Sequence, residues 1–319
     1  MYLDSMNFLG IGTQQGQQRS GLVTSPELAL KLFPKNWPLQ SKHLLQNWNP
    51  HRGYHKAEDL EVLNWSIYQE AFSIIKNNLL QGGLQLNWGG DHSIGLSTVA
   101  AFTSIYPEGH VLWIDAHADL NTPESSPTGN FHGMPLSLLL GIGASSGSFL
   151  KTFFGTLKTE KLIYFGLRDL DPYEKYLLQT HRIKTFYCND INNQNFNSIL
   201  CKLSSYIGNK PLHISFDIDS VDPVLAPSTG VQSQDGLCLT HLNLLGKKLN
   251  TQGQIKSIDV VEINPEIGSQ SEVMQTFSVA FEFLEVLLNL NGGKLYDGVN
   301  QSNKNQIQNS KQWNPPFWP

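Results

Sequence analysis

The feature that most constrains this chain is a series of short apolar runs without polar alternation, each followed by a helical pattern. Val111-Leu112-Trp113-Ile114 and Leu212-His213-Ile214-Ser215-Phe216 are two of them. A strand with one wet face alternates apolar and polar residues; a strand covered on both faces does not. Strands are expected at residues 7–12, 84–88, 110–115, 162–166, 185–188, 212–217 and 256–262. Helices are expected at 57–79, 94–105, 173–180, 197–207, 242–249 and 272–290. Strand and helix in alternation imply a parallel sheet with helices on both sides. No repeat or linker-like composition interrupts the first 292 residues, so residues 1–298 are expected to form a single α/β domain. Residues 299–319 are rich in Asn, Gln, Ser and Lys and close on Trp313-Asn314-Pro315-Pro316-Phe317-Trp318-Pro319. A polar tail is expected there, its aromatic-proline end suited to docking on the body or on a neighbouring subunit.

Charge and composition exclude some partners. The net charge is -5 and no basic block appears, which argues against nucleic acid. The longest apolar runs, at 135–140 and 281–290, are too short to span a bilayer, so no membrane partner is expected. Cys188, Cys201 and Cys238 are odd in number, share no metal-ligand spacing and lie in apolar or amphipathic stretches. They read as buried or semi-buried free thiols. With no basic-then-apolar leader at the N-terminus, a cytoplasmic setting is expected.

The chemistry sits where the strands end, the usual place for ligands in an open parallel sheet. The second run leads into Gly89-Gly90-Asp91-His92-Ser93, the third into Asp115-Ala116-His117-Ala118-Asp119, and a later one into Asp217-Ile218-Asp219-Ser220-Val221-Asp222-Pro223. In an extended segment alternate residues share a face, so Asp115, His117 and Asp119 point into one cavity, and Asp217 and Asp219 into the same one. With Asp91 counted, five carboxylates and two imidazoles converge. Carboxylates packed that closely repel and take up protons unless cations neutralise them, and no Lys or Arg cluster is at hand. A lone Asp-x-His is ordinarily a surface turn; three such motifs at strand ends point to a pair of divalent cations. Oxygen-rich ligands with a minority of His and no Cys suit Mn²⁺ better than structural zinc.

These three motifs, in this order over nearly the whole chain, resemble those of the ureohydrolases, the family of arginase, agmatinase and formiminoglutamase. The resemblance implies a three-layer α/β/α fold with an eight-stranded parallel sheet and two Mn²⁺ per subunit. One ion would be held by His92, Asp115, Asp119 and Asp217, the other by Asp115, His117, Asp217 and Asp219. It implies that Asp119 also relays a proton and that His132, in Gly129-Asn130-Phe131-His132-Gly133, exchanges protons with solvent. Glu262, at the end of an apolar strand, would pair in two-point fashion with a guanidinium. A homo-oligomer, trimer or hexamer, is the family expectation.

The substrate is read from two further segments. Residues 121–130 resemble the arginase loop that receives an α-carboxylate, with Asn121, Ser126, Thr128 and Asn130 at its donor positions. Residues 166–174 resemble the segment that receives the α-amino group, directly through Asp171 and through water by Glu174; Asp171 before Pro172 also reads as a helix N-cap. The expected reaction is hydrolysis of L-arginine to L-ornithine and urea. The alternatives are agmatinase or another guanidino or formimino hydrolase acting on agmatine, guanidinobutyrate or formiminoglutamate, and a non-catalytic member of the fold. A phosphoesterase would want basic residues, and the rim offers only Arg168 and Arg19. Two positions depart from the family: Val231 follows Ser228-Thr229-Gly230 where a Thr is usual, and Asp235-Gly236-Leu237 replaces Gly-Gly-Leu. Gly10, Gly12, Gly16 and Gly21 fit no dinucleotide motif and read as a mobile loop at the rim.

Overall fold

Successive residues of one strand feed two different cores. In the computed structural model, which describes residues 5–46, 63–143, 151–252 and 254–290, Val111 and Trp113 pack into one apolar cluster and Leu112 and Ile114 into another. That is the period-two geometry of a strand covered on both faces. The strands are β1 (Met6–Gly12), β2 (Leu39–Gln46), β3 (Leu84–Gly89), β4 (His110–Ile114), β5 (Leu162–Leu167), β6 (Lys184–Tyr187), β7 (Leu212–Asp217) and β8 (Ile255–Val261). They form one eight-stranded sheet in the order β2-β1-β3-β8-β7-β4-β5-β6. Every pairing is parallel.

Helices cover both faces. On one lie α1 (Ser25–Leu32), α6 (Cys188–Asn193), α7 (Phe196–Ile207), α8 (Leu239–Gln252) and α9 (Gln270–Leu288). On the other lie α2 (Trp65–Gln81), α3 (Gly95–Ile105), α4 (Pro135–Leu139) and α5 (Pro172–Thr180). The expected three-layer α/β/α architecture is present.

The seven strands and six helices legible in the sequence are found, with ends shifted by a few residues. The 57–79 helix starts at Trp65, where the Asn64 side chain accepts Ser66 N; residues 57–62 fall outside the described residues. The 185–188 strand stops at Tyr187 because Cys188 opens α6. The eighth strand, β2, is an edge strand with most of its side chains exposed, so its sequence carries no apolar run. Cys188 is buried and Cys238 half-buried, but Cys201 is exposed on α7, against expectation. The tail at 299–319 also lies outside the described residues. Among the described residues no helix is long and apolar enough to cross a membrane.

Register places the strand ends level. Ile114 pairs with Phe216, so Asp115 and Asp217 leave the sheet side by side. Phe216 in turn pairs with Val260, and Val260 with Trp88. Five neighbouring strand ends, β3, β8, β7, β4 and β5, therefore form one continuous rim.

Candidate metal centre and substrate cleft

The rim presents His92 after β3, Glu262 after β8, Asp217 at the end of β7 and Asp219 after it, Asp115, His117 and Asp119 after β4, and Asp171 and Glu174 after β5. The two aspartate motifs converge by bends rather than by the extended alternation expected from sequence. Asp119 has φ 51°, in the left-handed region, and Asp217 caps a 3-10 turn over Ile218–Ser220, accepting Asp219 N at 2.8 Å. Glu262 is also left-handed, with φ 65°. A non-glycine residue held there costs on the order of 1–3 kcal/mol, a strain found mostly at functional sites.

The cluster has two parts joined by Asp115. In the first, His92 Nδ1 faces three carboxylate oxygens at once: Asp115 Oδ2 at 3.1 Å, Asp119 Oδ2 at 3.1 Å and Asp217 Oδ2 at 3.0 Å. In the second, His117 Nδ1 lies 3.0 Å from Asp219 Oδ2 and 3.5 Å from Asp115 Oδ1. All but His117 are buried, and the donor atoms of His92, Asp115 and Asp119, and of Asp115, His117 and Asp219, lie within 4.8 Å of one another. Asp217 stands with the His92 group. Backbone and indole groups fix Asp115: His117 N donates to Oδ1 at 2.7 Å and Trp113 Nε1 to Oδ2 at 2.9 Å. The His92 ring is stacked on Trp113, centroids 3.9 Å apart.

Electrostatics test whether these residues suit a cation. Burial raises the Asp217 carboxyl well above its ordinary range, with repulsion from Asp219 and Asp115 adding to it. Burial and Asp115 likewise raise Asp119, to about 6. Burial also raises Asp219. Burial pulls the His92 and His117 imidazoles down, but the surrounding carboxylates outweigh it and lift both well above 6.5. Asp115, drawn upward by burial, is held low by the adjacent His117 and His92 imidazoles. Without a cation, the cluster is neutralised only by protons on its own members. His92 Nδ1 and Asp119 Oδ2 are buried without a hydrogen-bond partner. Such orphaned atoms, in an oxygen-rich set with two imidazoles, fit hard divalent cations.

Asp91 does not belong to the cluster. Its Oδ2 accepts Gly16 N at 2.7 Å and its Oδ1 takes both the hydroxyl and the amide of Ser93. Burial and the nearby Glu262 raise it to about 6. Nor is the glycine-bearing loop the loose rim expected: Thr13, Gln15 and Gln17 are buried. A Cβ on Gly16 would stand 2.8 Å from Asp91 Oδ1 and 2.9 Å from His132 N, so only glycine lets these backbones meet.

His132 lines the cleft and Glu262 lies behind it. Glu262 Oε1 takes His92 N at 2.8 Å and His132 Nδ1 at 2.9 Å, while Oε2 takes Gln17 Nε2 at 2.7 Å. Burial lowers the His132 pKa, but Glu262 more than offsets it and lifts the ring to about 9. Glu262 itself is raised by burial and brought below 4.5 by His132 and its other donors.

An open cleft of about 210 Å³ runs from His117, Asp119, Asp217 and Asp219 past His132 to Ser126, Thr128, Asn130, Asp171 and Glu174. Asn121 also lines it, donating to Asp171 Oδ2 at 2.8 Å and accepting Ser125 Oγ at 2.9 Å. Asn130 Oδ1 is buried with no partner. Glu174 is more committed than expected: Oε1 accepts Leu120 N at 3.1 Å and Oε2 accepts Asp171 N at 3.0 Å. Its carboxylate, raised to about 7 by burial, ties the 120–122 segment to the start of α5, where Asp171 is the N-cap ahead of Pro172. Val231 also faces the cleft.

Sequence reading missed Gln17, Trp113 and Ser215, whose roles appear only once distant segments meet. Arg168 is not the free rim cation expected from sequence. Its guanidinium is instead spent on the carbonyls of Gly166, Asp219, Ser220, Ser233 and Gln234, leaving it unsuited to a phosphate.

Comparison with known proteins agrees with this geometry. A model of the arginase family matches residues 5–288. The chain belongs to the arginase family. It is 37% identical to the arginase of Neurospora crassa over 236 residues, 70% of this chain and 64% of that protein, under two thirds of the relative's length. The crystal structure of arginase from Bacillus subtilis superposes with TM-score 0.79 at 27% identity, covering 92% of this chain and all (100%) of that one. An Entamoeba histolytica arginase solved in complex with L-ornithine superposes with TM-score 0.80 at 26% identity, covering 90% of this chain and 99% of that one. Arginase-family membership and the arginase fold thus go with a rim where carboxylates, imidazoles and neutral donors share one cleft.

Proposed function

We propose that this chain hydrolyses L-arginine to L-ornithine and urea at a binuclear manganese centre. One observation carries the reading: the acid and imidazole cluster and the polar anchors at residues 121–130 and 171–174 open into the same cleft. Relatives named arginase, one of them solved with L-ornithine, support it. His92, Asp115, Asp119 and Asp217 would hold one ion, and Asp115, His117, Asp217 and Asp219 the other. Bound there, the two ions would supply positive charge that neutralises the carboxylates and activates water at neutral pH.

The chain's own groups do the rest. Asn121, Ser126, Thr128 and Asn130 offer neutral donors to an α-carboxylate, and Asp171 offers an acceptor to an α-amino group, which holds the guanidinium end toward the acids. Glu174 acts on the α-amino group through water and holds the backbone N–H groups of Leu120 and Asp171 directly. Asp119 accepts the proton released from water. His132, with Nδ1 directed at Glu262, turns its other ring nitrogen to the cleft and delivers a proton to the departing amine. Glu262 fixes the His132 ring from behind; both of its oxygens are held by His92 N, His132 Nδ1 and Gln17 Nε2, so the two-point pairing with a guanidinium expected from sequence would require Gln17 and His132 to release them. The three free cysteines support a reducing, cytoplasmic setting. Assembly as a trimer or hexamer is the family expectation, and sedimentation checks it.

Val231 gives a second reading some support, since a hydrocarbon where the family carries a hydroxyl alters the cleft wall; agmatine or another guanidino compound is then the substrate. Urea release from arginine, agmatine and guanidinobutyrate, after chelation and with Mn²⁺ restored, separates the two. Arginine is expected to be the best substrate, and no urea from it would sink the proposal. Replacing Asp171 with Ala should raise KM for arginine about tenfold or more while leaving that for agmatine nearly unchanged, the loss of one charge-assisted hydrogen bond. Equal effects on both would leave Asp171 as a helix cap only.

A further inference from the structure

Beneath the rim lies a buried carboxylate that the proposed chemistry does not use. Asp259, in the middle of β8, is fully buried. Its Oδ1 accepts Asn87 Nδ2 at 2.8 Å, and its Oδ2 accepts Thr98 Oγ1 at 2.5 Å and Ser215 Oγ at 3.4 Å. His213 Nε2 stands 3.2 Å from the same Oδ2. The orientation of the Asn87 amide is fixed from the other side: its Oδ1 accepts Gln85 Nε2 at 2.8 Å, and Gln85 Oε1 accepts Asn78 Nδ2 at 2.9 Å. Asn87 must therefore give a proton to Asp259.

The chain of bonds continues to the metal cluster. Ser215 Oγ lies 2.8 Å from His92 Nε2. A serine hydroxyl has one proton to give and lone pairs to receive. With that proton directed at Asp259 Oδ2, only lone pairs face His92, so Nε2 carries the ring proton. A neutral imidazole protonated at Nε2 exposes its Nδ1 lone pair, and Nδ1 is the atom aimed at the oxygens of Asp115, Asp119 and Asp217.

We infer that Asp259 is a positioning residue that selects, through Ser215, the His92 tautomer able to ligate a divalent cation at the His92 half of the centre. The inference rests on the metal centre proposed above. It predicts an asymmetric effect, because His117 has no link to Asp259: its Nε2 faces Asp169 Oδ2, 3.7 Å away.

Stepwise Mn²⁺ titration of the chelator-treated full chain tests it. Wild type is expected to bind two ions; failure to bind two would overturn the metal-centre reading and this inference with it. In Asp259→Asn the amide can donate to Ser215 and reverse the bond chain. One binding step should then weaken by about 10–100-fold and the other stay unchanged, the usual size of an outer-partner effect on metal affinity. Two unchanged steps, or two equally weakened ones, would overturn the inference alone. Should Asp259→Asn not fold, Ser215→Ala removes the relay at less cost in buried charge, and the same one-step loss is expected. Histidine-labelled NMR of the cadmium-loaded wild type gives an independent check: the His92 proton should sit on Nε2, and a proton on Nδ1 would overturn the assignment.

Discussion

His132 shows how a single side chain takes its properties from its neighbours. A solvated imidazole half-titrates near 6.5, but the contact with Glu262 lifts this one to about 9 in the metal-free fold. Folding thus favours its protonated form. The resulting stability is fully present below pH 6.5 and fades as pH rises through 9, with an upper bound of roughly 3 kcal/mol. Urea denaturation of the chelated protein between those pH values should show this loss. His132→Asn, which cannot titrate, should flatten that part of the profile. Parallel profiles for the two proteins would mean that the ring is uncharged in the fold and that Glu262 holds it by a neutral hydrogen bond.

At the scale of elements, the site depends on how three strand ends are locked together. Gly90 N donates to Ile11 O at 2.9 Å, and Glu262 N donates to Gly90 O at 2.9 Å, so one residue joins the ends of β1, β3 and β8. A Cβ at Gly90 would lie 1.7 Å from Thr13 O, a backbone atom with no room to yield. Gly90→Ala should therefore cost roughly 2–4 kcal/mol in thermal unfolding and reduce metal binding, since His92 is two residues on. A variant as stable as wild type would show that the β1 loop is free to move away.

The same elements show what a linear sequence can and cannot convey. The apolar runs at 111–114 and 212–216 announce buried strands because burial on both faces leaves a local compositional mark. β2 leaves none, since an edge strand may be polar on nearly every residue. The metal-cluster residues were legible because their motifs are short and lie at strand ends. Gln17 was not: its partner Glu262 is 245 positions away along the chain. Asp91 stands outside the cluster because proximity to His92 in sequence says nothing of direction; its carboxylate turns to Gly16 and Ser93 instead. The bends that replace the expected extended segment are local turn chemistry that the alternation argument overlooked: Asp217 caps its own 3-10 turn by accepting Asp219 N, and Asp tolerates the left-handed conformation found at Asp119.

For the molecule as a whole, the repelling carboxylates make folding and cation binding one problem. A ligand that binds the fold alone stabilises it by about 2.7 kcal/mol at a hundred times its Kd. Adding Mn²⁺ to the chelated protein should accordingly raise Tm by several degrees. The shift should grow with the logarithm of the ion concentration, and Mg²⁺, which tolerates imidazole ligands less well, should give less. An unchanged Tm at millimolar Mn²⁺ would leave the acid cluster without its proposed occupant.

The strand order bears on how such a molecule comes into being. β8, the last strand along the chain among the described residues, lies between β3 and β7 at the centre of the sheet. β1 to β3 pair among themselves, and so do β4 to β7, but no strand pairing joins those two groups except through β8. His92 belongs to the first group, and Asp115 and Asp217 to the second. Pairing of this one strand with both groups therefore closes the sheet and sets the end that carries His92 level with the ends that carry Asp115 and Asp217.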